Sequence, residues 1–77
     1  MNVPEAIDEA RRELAAGHDK EAARLLTDAV YATHDPELEA EIRKLAEHGR
    51  EHAGRFGRGR WEEIIRIAEL RAAKGQG

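Results

Sequence analysis

The chain has 77 residues and no cysteine, which excludes disulfides and thiolate metal sites and is typical of a reducing compartment. It has no pattern of a secretion leader and no apolar run of about 18 residues, so we expect a cytoplasmic protein with no membrane contact. Charged residues make up 38% and aromatic residues 4%, while alanine occupies fourteen positions. This composition favours helices with solvated faces, and the predicted fold class is all-α.

The net charge of −3 hides an asymmetry along the chain. Residues 1–49 carry 12 acidic and 6 basic side chains, whereas residues 50–77 carry 4 acidic and 7 basic side chains. Opposite net charges attract, either within one chain or between two chains that pack head to tail. The sequence leaves both arrangements open.

The first predicted helix covers residues 3–16, at the start of a single domain predicted over residues 1–73. Asn2 is placed to cap this helix, and Glu5 completes a capping box. Apolar residues at helical spacing form its inward stripe: Val3, Ile7, Ala10 and Leu14. Gly17 is expected to end the helix by adopting the left-handed conformation that other residues resist.

The second predicted helix covers residues 19–33, with Asp19 as its N-cap. Its inward stripe includes small residues that allow a partner helix to approach closely: Ala22, Leu25, Leu26, Ala29 and Val30. Tyr31 projects from the side opposite Leu26, which makes it either a binding residue or an amphipathic residue at the rim of the core. Two amphipathic helices separated by a glycine predict a helical hairpin.

The third predicted helix covers residues 36–52. Asp35 and Pro36 form a strong start signal, because aspartate caps helices and proline fits the first helical position. The inward stripe consists of Leu38, Ile42, Leu45 and Ala46. Glu39 and Arg43 have the spacing of a supporting ion pair on the solvent-exposed face.

A glycine-rich loop over residues 54–59 precedes a fourth helix, predicted at residues 60–73 and followed by a disordered tail at 74–77. The inward face of this helix contains Trp61, Ile64, Ile65 and Ala68. Ile67 and Leu70 lie to the side of that face. The fourth helix is therefore more apolar than a single contact surface requires.

The segment from Ala10 to Pro36 resembles a tetratricopeptide repeat, in which two antiparallel helices meet through small residues near a glycine-marked turn. The residues that match the family pattern are Ala10, Gly17, Ala22, Leu26 and Ala29. A weaker copy follows 42 residues later at Gly59, Ile64 and Ala68, which gives about one and a half to two repeats. The resemblance implies two stacked helical hairpins that bind a peptide or protein, with self-association or docking completing the open end.

Residues 48–52 match the H-x-x-E-H pattern of inverted zinc peptidases through His48, Glu51 and His52. A peptidase also needs a third metal ligand and a walled cleft, and Gly49 weakens the helix within the motif. Solvated histidines at a helix end are the simpler interpretation. The chain has neither serine nor cysteine for covalent catalysis. We therefore expect no catalytic residue, no metal and no cofactor, in a protein that is not an enzyme.

Arginine and aromatic side chains alternate around the glycine-rich stretch at residues 54–61. Three arginines are candidate contacts for nucleic acid or for an acidic protein partner: Arg55, Arg58 and Arg60. The acidic overall charge and the small number of aromatic residues argue against nucleic acid. They favour arginines that neutralise the acidic first part of the chain or bind an acidic partner.

A small non-enzymatic module for protein–protein interaction fits these patterns best. It is expected to self-associate or to dock to a protein partner through the fourth helix, with Trp61, Ile67, Leu70 and Tyr31 as contact residues. The alternative is a small nucleic-acid-binding regulator that uses residues 54–61. Salt dependence separates the two, because phosphate binding weakens steeply as salt rises and apolar contact does not.

Overall fold

The computed structural model describes residues 1–53 and 57–76, and in these ranges it contains helices and no strand. The described residues form four helices: α1 (Val3–Ala15), α2 (Asp19–Ala32), α3 (Pro36–His52) and α4 (Arg58–Gln76). The all-α prediction is confirmed, and the first three helices end within one residue of their predicted positions. None of the described helices is both long and apolar enough to span a membrane.

Helix α4 is longer than predicted at both ends. It begins at Arg58 rather than at residue 60, and it continues through Gln76 into the segment predicted to be disordered. Residues 72–74 are strong helix formers, and a lysine in the last turn interacts favourably with the negative end of the helix dipole. Gly77, the last residue of the predicted tail, lies outside the described residues.

The ends of α1 follow the sequence signals. The Asn2 side-chain oxygen accepts a hydrogen bond from the Glu5 backbone N–H at 2.8 Å, as expected for an N-cap. Beyond the other end, Gly17 adopts a φ of +84°. The His18 N–H then donates to the Glu13 carbonyl oxygen at 2.8 Å, which is the long hydrogen bond of a Schellman motif. The predicted glycine stop is confirmed.

The N-cap of α2 differs from the predicted one. It is His18 rather than Asp19, because His18 ends the turn after α1 and its carbonyl accepts the first helical hydrogen bond, from the Ala22 N–H at 3.1 Å. Asp19 lies in the first turn of α2 together with Glu21. Carboxylates in a first turn are stabilised by the positive end of the helix dipole.

The start of α3 agrees with the prediction. The Asp35 side chain accepts a hydrogen bond from the Glu37 N–H at 2.9 Å, and Pro36 occupies the first helical turn. The Asp35 N–H donates to the hydroxyl oxygen of the buried Thr33 at 3.1 Å. This short, hydrogen-bonded turn determines where α3 starts relative to the end of α2.

Arg43 pairs with Glu47 rather than with Glu39, its predicted partner. Glu39 is only 6% exposed, because it lies on the inward face of α3 with Ile42 and Ala46. The Arg43 Nε donates to the Glu47 carboxylate at 3.0 Å on the solvent-exposed side. Both carboxylates lie one turn from Arg43, and the burial of Glu39 decides between them.

The helices form two hairpins, α1–α2 and α3–α4, which pack side by side. Helices α2 and α3 each contact all three other helices, whereas α1 and α4 do not contact each other within the described residues. The Cα atoms span 36 × 26 × 14 Å, and the shortest dimension fits two layers of helices. The molecule is therefore an open stack of two hairpins, in which the first and last helices do not close a ring.

The core combines a few large side chains with many alanines. Its largest fully buried side chains are Trp61, Ile7, Leu26, Ile42, Ile64 and Val30. Gly49 has a packing role that the sequence analysis missed, because a Cβ atom there would lie 2.6–2.7 Å from atoms of the Trp61 ring. The absence of a side chain lets the indole of α4 contact α3 directly.

Candidate functional site

Two large apolar side chains are exposed on helices that pack against each other. Tyr31, near the end of α2, is 54% exposed, and Leu70 in α4 is 59% exposed. Ile67, one turn before Leu70, is half-buried against the core. A single exposed leucine is ordinary on a protein surface, so the significance of these residues depends on what surrounds them.

Arg71 connects the two helices at this place. Its Nη1 donates a hydrogen bond to the Thr33 carbonyl oxygen at 2.9 Å, and its Nη2 donates to the Tyr31 carbonyl oxygen at 3.0 Å. Its guanidinium carbon also lies 5.9 Å from the centroid of the Tyr31 ring, within the range of a cation–π contact. Carbonyls at the end of a helix lack helical partners. Arg71 therefore caps α2 and holds the tyrosine ring beside α4.

We define the α2–α4 surface as Tyr31, Ile67, Leu70 and Arg71. Ile67 lies one helical turn before Leu70 and Arg71, and Leu70 and Arg71, as successive residues of α4, project about 100° apart around the helix. Two hydrogen bonds fix the guanidinium, so binding to this surface costs less side-chain entropy than binding to freely rotating groups. Aromatic, aliphatic and arginine side chains in this combination are typical of protein contact sites.

Trp61, predicted as a contact residue, lies in the core instead. Its side chain is 1% exposed, because the indole packs over Gly49 in the space where other residues carry a Cβ atom. The ring anchors α4 to α3 and presents no surface to a partner. The other three predicted contact residues, Tyr31, Ile67 and Leu70, belong to the α2–α4 surface.

Two of the three arginines predicted as contacts for nucleic acid or an acidic partner are among the described residues. Arg58 and Arg60 are exposed in the first turn of α4, and Arg55 lies outside the described residues. Arg60 lines an open groove of about 570 Å³ beside the α1–α2 turn, together with Lys20 and Arg24 of α2. Basic residues that are distant in sequence thus meet at this groove.

Acidic residues line the same groove and reduce its positive charge. Asp19 and Glu21 are part of its wall, next to Lys20. The Glu21 carboxylate accepts a hydrogen bond from the Arg24 guanidinium, which lowers the pKa of the Glu21 carboxyl below its ordinary value. One of the basic side chains is therefore already paired within α2.

His48 and His52 are neighbours on the exposed side of α3, with 4.3 Å between their ring centroids. Within residues 1–53 and 57–76, no three histidine, cysteine or acidic side chains are grouped closely enough to hold a metal ion. His18 lies elsewhere and pairs with Glu13, with 2.7 Å between Nδ1 and Oε2. The H-x-x-E-H pattern therefore contributes a pair of imidazoles and no larger cluster of ligands in the described part of the chain.

A second groove, of about 330 Å³, lies between the start of α1 and the second half of α2. Its apolar lining consists of Met1, Val3, Ala6, Leu25, Ala29 and Ala32. All of its lining residues belong to α1, α2 and the residues before α1, so it is on the side of the first hairpin that α3 leaves free. This groove was not predictable from the sequence, because alanines at helical spacing also predict a simple helix contact.

Arg71 is the contact residue that the sequence analysis missed. A single arginine near the end of a helix is typical of a solvated position, and its acceptors Tyr31 and Thr33 are 38–40 positions away along the chain. The available signal was indirect: the last carbonyls of α2 need donors, and the α2–α3 turn is short. Local spacing does not show which basic residue supplies them.

No family model matches the chain, and no curated protein or solved structure is significantly similar to it. The geometry of this chain alone therefore supports the functional proposal.

Proposed function

We propose that this protein is a non-enzymatic, tetratricopeptide-like module for protein–protein interaction that docks through the α2–α4 surface. The observation that carries the proposal is that two large apolar side chains, Tyr31 on α2 and Leu70 on α4, are exposed on the two helices that Arg71 connects. A few residues of these types commonly dominate the binding energy of protein interfaces. The absence of cysteine fits a role in the cytoplasm.

The open stack of hairpins supports this proposal. In the described part of the chain, α2 and α3 contact every other helix and α1 and α4 do not contact each other, which leaves a side of α1 and of α4 for a further hairpin. Tetratricopeptide arrays normally contain at least three repeats, because each hairpin buries its apolar face against a neighbour. A docked protein supplies such a neighbour.

A second copy of the same chain is the partner that we favour. Residues 1–49 have a net charge of −6, and residues 50–77, which include α4, have a net charge of +3. A head-to-tail contact brings the basic part of one chain to the acidic part of another. Contacts of this type close into a ring or continue as a filament, depending on the rotation between copies.

The exposed apolar area predicts weak association. Complete burial of a leucine contributes about 1.5–3 kcal/mol, so the exposed portions of Leu70 and Tyr31 together contribute on the order of 2–3 kcal/mol. A micromolar Kd requires about 8 kcal/mol. Neighbouring faces of the helices must supply the remaining free energy of association. We therefore expect a Kd in the micromolar range or weaker.

Sedimentation velocity at concentrations up to several hundred micromolar tests this proposal. The wild-type protein should associate as concentration rises, and Leu70→Arg should abolish association by replacing the most exposed apolar side chain of the α2–α4 surface with a charge. Ala40→Arg adds the same charge at an exposed position of α3 and should have no effect. A monomer at every concentration, or equal association of the two variants, rejects docking of a second copy at this surface.

Nucleic acid is a second candidate, favoured by one observation. Arg60 meets Lys20 and Arg24 around one open groove, as a phosphate-binding surface requires. The carboxylates of Asp19 and Glu21 in the same groove oppose phosphate, so this function ranks second. A gel shift with single-stranded RNA at low salt tests it. Loss of a salt-sensitive shift in Arg60→Glu supports nucleic-acid binding, and the absence of any shift in the wild-type protein excludes it.

A further inference from the structure

His48 and His52 form a pair that the proposed docking function does not use. They are one helical turn apart on α3, and their rings are 4.3 Å apart between centroids at an interplanar angle of 57°. Both side chains are exposed and neither belongs to the core. Packing therefore does not explain an imidazole at either position.

This spacing allows two histidines of one helix to bind the same metal ion. Residues four apart lie on the same face, as in zinc motifs that are carried by a helix. Zinc binds imidazole nitrogen at about 2.0–2.1 Å, so two nitrogens on a tetrahedral ion are about 3.4 Å apart. Exposed rings with centroids 4.3 Å apart can reach this geometry by rotation of the side chains alone.

The position of the pair within α3 also favours a cation. His52 is the last residue of the helix, and the final carbonyls of a helix carry a partial negative charge. Glu51 adds a carboxylate to the same exposed turn. Arg50 lies about 200° around the helix from His48, on the other side. Lys44, exposed one helical turn before His48 on the same face, opposes a cation, so the attraction within α3 comes from the end of the helix and from Glu51, beside His52.

We propose that His48 and His52 together chelate one zinc ion, with water in the remaining coordination positions. Two protein ligands make an open site, in agreement with the lack of a third ligand group among the described residues. The chelate joins two successive turns at the end of α3, beside Gly49 and its contact with Trp61. Zinc thus stabilises this end of the helix. Zinc binding at this pair does not depend on the docking function and involves no catalytic step.

Calorimetric titration of the metal-free protein with zinc chloride at mildly alkaline pH tests the chelate. The wild-type protein should bind one zinc ion per chain in a saturable manner. Its thermal unfolding midpoint should rise with zinc concentration, because the preformed pair exists only in the folded state. His52→Ala and His48→Ala should each abolish both effects, since each removes one of the two ligands.

His34→Ala is the matched control, because His34 is an exposed histidine in the α2–α3 turn and should not contribute to binding. Far-UV circular dichroism should show unchanged helix content in all three variants, as all three side chains are exposed. The proposal is overturned if the folded wild-type protein shows no saturable binding. It is also overturned if either single variant at position 48 or 52 binds zinc as tightly as the wild-type protein does.

Discussion

Gly49 lies against the indole of Trp61, and a Cβ atom there would come within 2.6–2.7 Å of ring atoms. The ring is fully buried, so it has little room to move away. Gly49→Ala should lower the free energy of unfolding by about 1–3 kcal/mol, the usual cost of overpacking. This exceeds the gain of about 1 kcal/mol that alanine brings to a helix. Urea unfolding monitored by circular dichroism measures the difference.

Gly59 offers a matched control within α4. A Cβ atom at Gly59 meets nothing within 4 Å. Gly59→Ala should leave stability unchanged or raise it by up to about 1 kcal/mol, through helix propensity alone. A stability gain in Gly49→Ala equal to that in Gly59→Ala would contradict the packing of Trp61 on α3.

The carboxyl of Glu21 gives a prediction about pH. A hydrogen bond from Arg24 lowers its pKa in the folded protein. A carboxyl whose pKa is lower in the folded protein stabilises the fold at pH values above its pKa in the unfolded chain. This stabilisation is lost as the pH falls through the pKa of the carboxyl in the folded protein. Glu21→Gln should therefore destabilise the protein slightly at neutral pH and have no effect in strong acid, as measured by urea unfolding at both values.

An NMR titration of the Glu21 carboxyl provides the direct check. Arg24→Gln removes the hydrogen bond and should return the pKa of Glu21 towards its ordinary value. Arg11→Gln removes an arginine that pairs with Asp8 elsewhere and should leave the Glu21 pKa unchanged. An equally low pKa in Arg24→Gln would show that another group is responsible.

Single residues were predictable from sequence where their effect is local. Asn2, Gly17 and Asp35 act on backbone groups within three residues, so their roles follow from residue type and position. Trp61 was expected on the inward face of the fourth helix, but the burial of Glu39 was not predictable in the same way. It depends on which helix lies opposite, and the spacing of residues within one helix does not contain that information.

At the scale of helices, Arg71 joins the last turns of α4 to the end of α2. Arg71→Ala removes two hydrogen bonds to backbone carbonyls and should lower the free energy of unfolding by about 1–3 kcal/mol, at 0.5–1.5 kcal/mol for each bond. Amide hydrogen exchange should also become faster in the last turns of α4, because that end loses its attachment. Exchange measured by NMR gives both quantities.

Arg66→Ala is the control for this helix, because Arg66 is exposed in α4 and should contribute little. Arg71→Lys keeps the charge but lacks the planar pair of donors, so it should restore only part of the lost stability. Unchanged exchange at the end of α4 in Arg71→Ala would mean that the contact with Tyr31 and Thr33 does not hold the helix.

Helix boundaries were predictable where a stop signal is strong. The bounds of α1, α2 and α3 follow from one glycine, one proline and helical periodicity. Helix α4 begins and ends beyond its predicted limits, because tertiary packing of Trp61 and Arg71 supports turns that glycines weaken. Tertiary contact thus outweighs local propensity at the start of this helix, whereas at its end it adds to the helix propensity of residues 72–74.

At the scale of the whole molecule, composition was sufficient to predict the fold class. The lack of contact between the first and last helices in the described residues was implied only by the resemblance to stacked hairpins, because the spacing of apolar residues within a helix does not say which helices meet. The candidate surface was predictable in part. The excess apolar width of the fourth helix indicated Ile67 and Leu70, whereas the connection through Arg71 requires the packed structure.

The contacts of α2 and α3 with every other helix imply that both hairpins unfold together. Ile7 in α1 and Trp61 in α4 are buried in helices that do not contact each other within the described ranges. Ile7→Val should lower the free energy of unfolding by about 0.5–1.5 kcal/mol. The urea midpoint from Trp61 fluorescence should then shift as far as the midpoint from circular dichroism, which measures all helices. A fluorescence midpoint that stays at the wild-type value would mean that the second hairpin unfolds independently of the first.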